Sequence, residues 1–396
     1  MDRAYPILTV SEKGERSLRA GHPWVYDNEI RSDTTPENGS VVDVCSSKGK
    51  WLGVGFYNGH SRIRVRILSR NANDRIDAAF WRRKVQWAVE YRKQVMGEDF
   101  SACRLIFGEA DGFPGLTVDR FGSVLVSEVL SLGMEKCKAV VYDELLRLTS
   151  CSVLYERNDN PIRDKEGMER SCGFYFGGGD GSVEITENGL RYAVNYMDGQ
   201  KTGFFLDQKY NRLAAAKIAR GRRVLDCFTH TGAFALNCAA MGAEKVTAVD
   251  VSALALESAR HNAELNGLAE KIDFVQRDVF ELLTELLEQK NKDYDYIILD
   301  PPAFTKSSST VDKAYRGYKD INYRALRLLP RGGYLATCSC SHFMTTELFK
   351  RMLREAAADA GVQLRQIEER QQAADHPILW GVGETDYLKF FLFQVI

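Results

Sequence analysis

Three acidic residues close three successive strand-like runs, and a fourth lies between the last two. The runs RRVLDCFTHTGAF, KVTAVDVS and YDYIILDPPAF place Asp226, Asp250 and Asp300, and KIDFVQRDVF adds Asp278. Short apolar runs alternating with helical patterns predict parallel β/α units. Ligands of such folds bind in the crevice beyond the carboxyl ends of the strands. Four carboxylates there, with one glycine turn after the first, suit a nucleoside that carries a cationic group. S-adenosylmethionine is such a molecule.

Each residue also has a plainer reading. The Asp226 turn carries Gly232, which allows backbone to approach a ligand closely, and FALNCAAMG then starts a helix. Phe228 and His230 stand where a dinucleotide-binding turn would have glycines, which argues against a pyrophosphate ligand. Asp250 lies 24 residues after Asp226, placed to accept from ribose hydroxyls or to cap the following helix. Ser252 is the better cap by position. Asp278 could bind an adenine amino group or cap VFELLTELLEQ. In DPPAF, Pro301 and Pro302 stop the strand abruptly and fix the loop. The Asp300 carboxylate is thereby held for a planar partner, and Phe304 is placed to stack on a base.

The run RGGYLATCSCSHFM predicts one more strand, carrying Cys338 and Cys340. A side-chain period of two puts both thiols on one face. Cys340 falls at the carboxyl end, in the crevice, and is the candidate nucleophile; Cys338 sits one pleat deeper. A free thiol ionises near pH ~8.5, so this one needs an activating environment. His342 reads as a loop histidine or as a base.

The elements that must position these residues follow from the rest of the chain. At 396 residues it is long enough for two or three domains. Residues 1–72 predict a β-rich roll. Residues 73–182 predict an α+β middle domain, with helices at 76–97 and about 134–149, a hairpin turn at Arg120-Phe121-Gly122 and a glycine-rich surface loop in CGFYFGGGDGS. Residues 183–396 carry the β/α alternation. A net charge of −1 announces no polyanion partner, so an RNA surface must be a local patch. In SRIRVRIL, period two puts Arg62, Arg64 and Arg66 on one strand face, a candidate phosphate contact or a solvated face. No run approaches the ~18 apolar residues of a membrane helix. MDRAYPILTV lacks the basic start and apolar core of a signal peptide. Nine cysteines without CxxC spacing predict no metal site and reduced thiols in the cytoplasm.

Taken in order, these motifs resemble the PUA-domain-containing class I S-adenosylmethionine-dependent methyltransferases that form 5-methylcytosine in large-subunit (23S) ribosomal RNA. GHPWVYDNEI resembles the PUA signature, EADGFPGLTVDRFG the middle domain, and KTGFFLDQKYNR the segment before the first methyltransferase strand. YRGYKDIN, CSCS and QAADHP are further matches. The resemblance implies an α/β architecture: a C-terminal Rossmann-like class I methyltransferase fold with a seven-stranded, mostly parallel sheet, behind a PUA-like RNA-binding domain and the α+β middle domain. It implies that Phe205, Gln208, Arg212, Asp226, Phe228, Thr231, Gly232, Asp250, Val251, Asp278, Val279 and Asp300 line the S-adenosylmethionine site. Pro301, Pro302 and Phe304 would meet the RNA, with Cys340 and Asp300 catalytic. The partner would be 23S ribosomal RNA, naked or in a large-subunit precursor, with a homodimer as a further expectation. Ala303 stands where many RNA cytosine-C5 enzymes carry a second cysteine. Two alternatives stay open: methylation of a guanine nitrogen on the same fold, which needs no Cys340, and a cofactor-binding RNA assembly module without turnover.

Overall fold

The computed structural model describes residues 5–305 and 307–396. The opening of MDRAYPILTV lies in part outside them. The chain forms two compact units. One joins Met1–Ile185, Val194–Leu206 and Ala374–Thr385; the other joins Thr186–Ala193, Asp207–Ala373 and Asp386–Ile396.

The first unit begins with five short strands, β1 (Ile7–Val10), β2 (Trp24–Tyr26), β3 (Val41–Ser46), β4 (Trp51–Tyr57) and β5 (Ile63–Ser69). They pair in the order β1-β3-β4-β5-β2 around buried Leu8, Val10, Val25, Val42, Val44 and Val65. Gly55 is required where β4 crosses β5, because a Cβ there would stand 2.5 Å from the Arg66 carbonyl oxygen. A helix follows at Ala78–Met96, capped by Asp77, which accepts from the Phe80 amide at 2.9 Å, and ended by Gly97 at φ 54°. The next sheet holds β6 (Ala102–Phe107), β7 (Leu116–Phe121), β8 (Val124–Val129), β9 (Val153–Asn158) and β10 (Ser171–Phe176) in the order β10-β9-β8-β7-β6. The hairpin between β7 and β8 turns at Gly122-Ser123, and Arg120 and Phe121 stay in the strand. The first part of the glycine-rich stretch is also strand, β10. A helix at Leu132–Thr149 links β8 to β9, which run parallel.

A hairpin of β11 (Ser182–Glu187) and β12 (Leu190–Asn195) leads on to the large sheet. That sheet contains β13 (Arg223–Cys227), β14 (Lys245–Asp250), β15 (Ile272–Gln276), β16 (Tyr296–Leu299), β17 (Tyr334–Ser339), β18 (Leu364–Arg370) and β19 (Lys389–Val395). Its order is β15-β14-β13-β16-β17-β19-β18. The five strands from β15 to β17 are parallel, and β19 runs antiparallel to both its neighbours. Helices on both faces bury the central strands. Val224, Leu225, Ile297, Ile298, Leu335 and Ala336 are fully inaccessible, which is why these strands read as continuous apolar runs. The chain leaves β13 toward β14 on one side and returns to β16 on the other. The strand order therefore reverses at β13, and a crevice opens there beyond the carboxyl ends.

Candidate active site

Asp226, Asp250 and Asp300 lie at this reversal, each at the carboxyl end of its strand. Asp226 is fully buried. Its Oδ2 accepts from Thr229 Oγ1 at 2.6 Å and from the Ala235 amide at 3.0 Å, the latter in the first turn of the helix Ala233–Ala240. Its Oδ1 finds no hydrogen-bond partner among the described residues. Burial raises its pKa from 3.8 to about 7; the Thr229 hydroxyl opposes that rise and Asp300 adds to it.

The turn after β13 is wound like a glycine turn although two of its residues are not glycine. Phe228 and His230 adopt φ of 63° and 51°, and Gly232 adopts 79°. Left-handed conformations at non-glycine residues cost about 1–3 kcal/mol each. Asp250 holds the turn in place. Its Oδ2 accepts from the His230 amide and its Oδ1 from the Ser252 amide, both at 2.9 Å. A hydrogen bond to a charged group contributes about 1.5–3 kcal/mol, so the bond from His230 offsets strain of the order stored at that residue. Ser252 caps the next helix by accepting from Ala255 at 3.2 Å. Gly232 packs so closely that a Cβ would stand 2.8 Å from Leu236 Cδ1 and 3.0 Å from Ala259 Cβ. Thr231 is half-buried, its carbonyl accepting from Asn262. Val251, beside Asp250, is 68 % exposed and offers an apolar surface at the crevice.

Asp300 is half-buried, and its Oδ1 accepts from Gln208 Nε2 at 2.9 Å. Desolvation raises its pKa to about 6, and Asp207 pushes the same way. Arg212, Gln208 and Cys338 oppose the rise. Gln208 is fixed in turn by Asn211, which donates to its Oε1 at 2.7 Å. In this way the leading segment delivers a rigid amide to the carboxylate. Cys338 is fully buried, its thiol pKa driven well up by burial and by Asp300. Cys340 lies just past β17 and is half-buried. Tyr318 and Lys389 are its electrostatic neighbours.

Several predicted residues take other roles. Arg66 is a correction. It is buried, its guanidinium bridging Glu109 at 3.2 Å and Glu166 at 2.9 Å, so it does not share an open phosphate-binding face with Arg62 and Arg64. Arg62 is exposed, and half-buried Arg64 donates to the Gly59 carbonyl. Asp278 caps the helix Val279–Glu288, its Oδ1 accepting from Phe280 at 2.8 Å and Glu281 at 3.1 Å. It is exposed at that helix start. The Val279 side chain belongs to the core, so only its main chain can meet a cofactor. Arg212 is buried against Glu187 at 2.5 Å. Phe205 lies in the first unit, with the Lys201 ammonium 4.8 Å from its ring centroid. Phe304 packs against Tyr318, with centroids 4.5 Å apart, and against Phe280 at 5.9 Å, so part of its surface is already covered. Pro301 is buried and Pro302 exposed. Sequence reasoning missed Asp207 and Lys389.

A carboxylate whose pKa is raised by burial and by the nearby Asp300 and Asp250, with one buried oxygen in want of a donor among the described residues, fits a cationic ligand. Comparison with known proteins agrees with that chemistry. Residues 8–70 match the model of the PUA-like domain, and residues 155–393 match the model of the S-adenosylmethionine-dependent methyltransferase. A Klebsiella pneumoniae (strain 342) protein named ribosomal RNA large subunit methyltransferase I is 41 % identical over 399 residues, covering 100 % of both chains. An Escherichia coli O139:H28 protein of the same name is 40 % identical, covering 98 % of this chain and 99 % of its own. Among solved structures, a Streptococcus mutans protein described as a SAM-dependent methyltransferase superposes with a TM-score of 0.83 at 22 % identity, over 98 % of this chain and 100 % of its own. A methyltransferase crystallised with SAH superposes at 0.84, also at 22 % identity and the same coverage. These two support the fold.

Proposed function

We propose, from the premise that the chain belongs to the S-adenosylmethionine-dependent methyltransferase family, that it methylates large-subunit (23S) ribosomal RNA at C5 of a cytosine. The relatives' shared name supports the RNA substrate, as does the PUA-like match at residues 8–70. On this reading residues 1–72 bind RNA, residues 73–182 form the middle domain, and residues 183–396 carry the chemistry on a Rossmann-like class I sheet. The work is done in the cytoplasm.

The observation that carries the C5 reading is the adjacency of β16 and β17. Leu299 pairs with Thr337, so Asp300 and Cys340 stand at the carboxyl ends of neighbouring strands, while the fully buried Cys338 sits one pleat deeper. Bound S-adenosylmethionine supplies an electrophilic methyl group on a sulfonium. Asp250, the unpartnered Asp226 oxygen, Val251 and the backbone around Gly232 are the residues that would hold it. C5 of cytosine is a poor nucleophile until a thiolate adds at C6. The Cys340 sulfur would form that bond and push the ring electrons to C5. Asp300 would hold the N3/N4 edge and balance the developing charge by hydrogen bonding or proton donation. After methylation a base removes the C5 proton, the C6–S bond breaks, and Cys340 leaves as thiolate. Asp300, His342 and a water are the candidates for that base. The His342 Nδ1 is buried without a partner among the described residues. The target base must leave its stack to reach the crevice.

RNA containing 5-fluorocytosine tests the reading, because fluorine cannot leave as a proton does. A covalent adduct should accumulate and map to Cys340. Cys340→Ala should abolish methyl transfer, while Cys338→Ala should keep most of it. Full activity in the Cys338/Cys340 double variant would discard the covalent route in favour of methylation at a guanine nitrogen.

A further inference from the structure

Lys389 is a buried cation that the chemistry described so far does not use. It opens β19, the run KFFLFQV, and pairs with Ser339 at the carboxyl end of β17. It is 2 % exposed. Its Nζ donates to the Ser341 carbonyl at 2.7 Å and to the Tyr387 carbonyl at 2.8 Å. An ammonium has three donors, so these two carbonyls leave one. Both acceptors are neutral, and Lys389 forms no salt bridge among the described residues. A buried ammonium is costly without a counter-charge. The carbonyl of Ser341 pins Nζ one residue beyond Cys340.

We propose that the Lys389 ammonium is the counter-charge of a Cys340 thiolate, and so the positioning residue that readies this thiol for attack. The inference rests on the reading of Cys340 as nucleophile for its catalytic meaning, but not for the ion pair itself. In the pairing step the S–H bond breaks heterolytically. Its electron pair stays on sulfur, its proton passes to solvent, and the ammonium keeps its own. The surroundings are consistent with this. Burial lowers the pKa of Lys389 to about 8, opposed by Cys340 and then by Asp386. Tyr318, whose hydroxyl lies 3.0 Å from Ser341 Oγ, stays neutral because burial pushes its pKa up to about 12. Glu369 and Arg370, on the neighbouring β18, line the same groove. Glu369 pairs with Lys350 at 2.7 Å and Arg370 with Glu368 at 3.1 Å.

The test is the rate of Cys340 alkylation by iodoacetamide as a function of pH, read on the Cys340 peptide of the full-length protein. In the wild type the thiol should titrate below the ordinary ~8.5. Lys389→Gln keeps N–H donors for the two carbonyls but removes the charge. It should slow alkylation near neutral pH about tenfold, as the thiol titrates about one pH unit higher. Lys389→Arg should restore most of the rate. An alkylation profile in Lys389→Gln that overlays the wild type overturns the proposal. So does failure of Lys389→Arg to differ from Lys389→Gln. Calorimetric S-adenosylmethionine binding checks that each variant is folded. If Lys389→Gln does not fold, the Arg variant decides alone, and an unchanged titration there supports the pair while a raised one refutes it. The two readings separate cleanly. A shifted profile with an active Cys340→Ala enzyme would keep the ion pair and discard the nucleophile. An unshifted profile with an inactive Cys340→Ala enzyme would do the reverse.

Discussion

Asp226→Asn should make the ligand-free protein more stable in mild alkali and worse at binding its cofactor. Asp226 is fully buried, and its pKa rises from 3.8 to about 7. The folded state thus holds a proton on this carboxyl over a range where the unfolded chain has lost it. Its contribution to stability is full below about pH 4 and is lost as the pH rises through about 7. From about pH 5 to about pH 8 the loss amounts to about 3 kcal/mol, at 1.36 kcal/mol per pKa unit. Asparagine cannot ionise. It can still accept from Thr229 and Ala235 through one oxygen, while its NH2 takes the place of the unpartnered Oδ1. The wild type should therefore lose about 3 kcal/mol more than Asp226→Asn over this range.

The choice of probe matters for this comparison. All five tryptophans, at positions 24, 51, 81, 87 and 380, fall in the first unit, so their fluorescence is blind to the second. Hydrogen exchange at the β13 amides under urea reports on the right sheet. S-adenosylmethionine affinity supplies the second arm. The variant should bind more weakly than wild type at about pH 8, and the two should converge at about pH 5, where wild-type Asp226 is protonated. Parallel stability curves for the two proteins would refute the idea that this carboxyl titrates near neutrality. Equal affinities at about pH 8 would remove it from the cofactor site.

Two further predictions follow from the same geometry. Asp250→Ala removes the acceptor that ties His230 and Ser252, and should weaken S-adenosylmethionine binding by about ten- to 150-fold, from ~1.5–3 kcal/mol per charged hydrogen bond; unchanged affinity by calorimetry would exclude it from the site. Neutralising Arg62 and Arg64 should flatten the salt dependence of RNA binding by about 0.7–0.9 in log–log slope for each phosphate no longer neutralised, whereas Arg66→Ala should instead destabilise the first unit by about 3–5 kcal/mol, the cost of stranding a buried partner; denaturation and salt titration of both variants distinguish the two roles.

What the sequence made legible, and what it hid, divides by distance along the chain. The ends of β13, β14 and β16 were readable because an apolar run followed by one acid is a local pattern, and the parallel fold brings such ends together. Arg66 misled because its partners are remote. Glu109 lies 43 residues away and Glu166 lies 100 residues away, so strand periodicity alone made the face look free. Asp278 was read as ligand or cap, and the amides of Phe280 and Glu281 make it a cap. At Phe228 and His230 the side chains argued against a pyrophosphate ligand, and the left-handed backbone they adopt was not legible from residue type. Residue type sets the cost of a left-handed turn, and the Asp250 carboxylate, supplied by the next strand, offsets part of that cost at His230.

Lys389 left a signal that went unread, a single cation at the start of KFFLFQV. A lysine there looks ordinary until the antiparallel register of β17 and β19 sets it opposite Ser339, at the strand end that carries Cys340. The same logic links the acids to the lysine. Asp226 and Asp300 are held where ionising is unfavourable in the empty protein, and Lys389 is held where staying charged is unfavourable. Each is a local cost to the fold that an opposite charge relieves: a sulfonium for the carboxylates, a thiolate for the ammonium. A site poised in both senses is less stable alone than when it is engaged. Cofactor binding should therefore release protons from the carboxylates near neutral pH, because a cation beside them favours their charged forms.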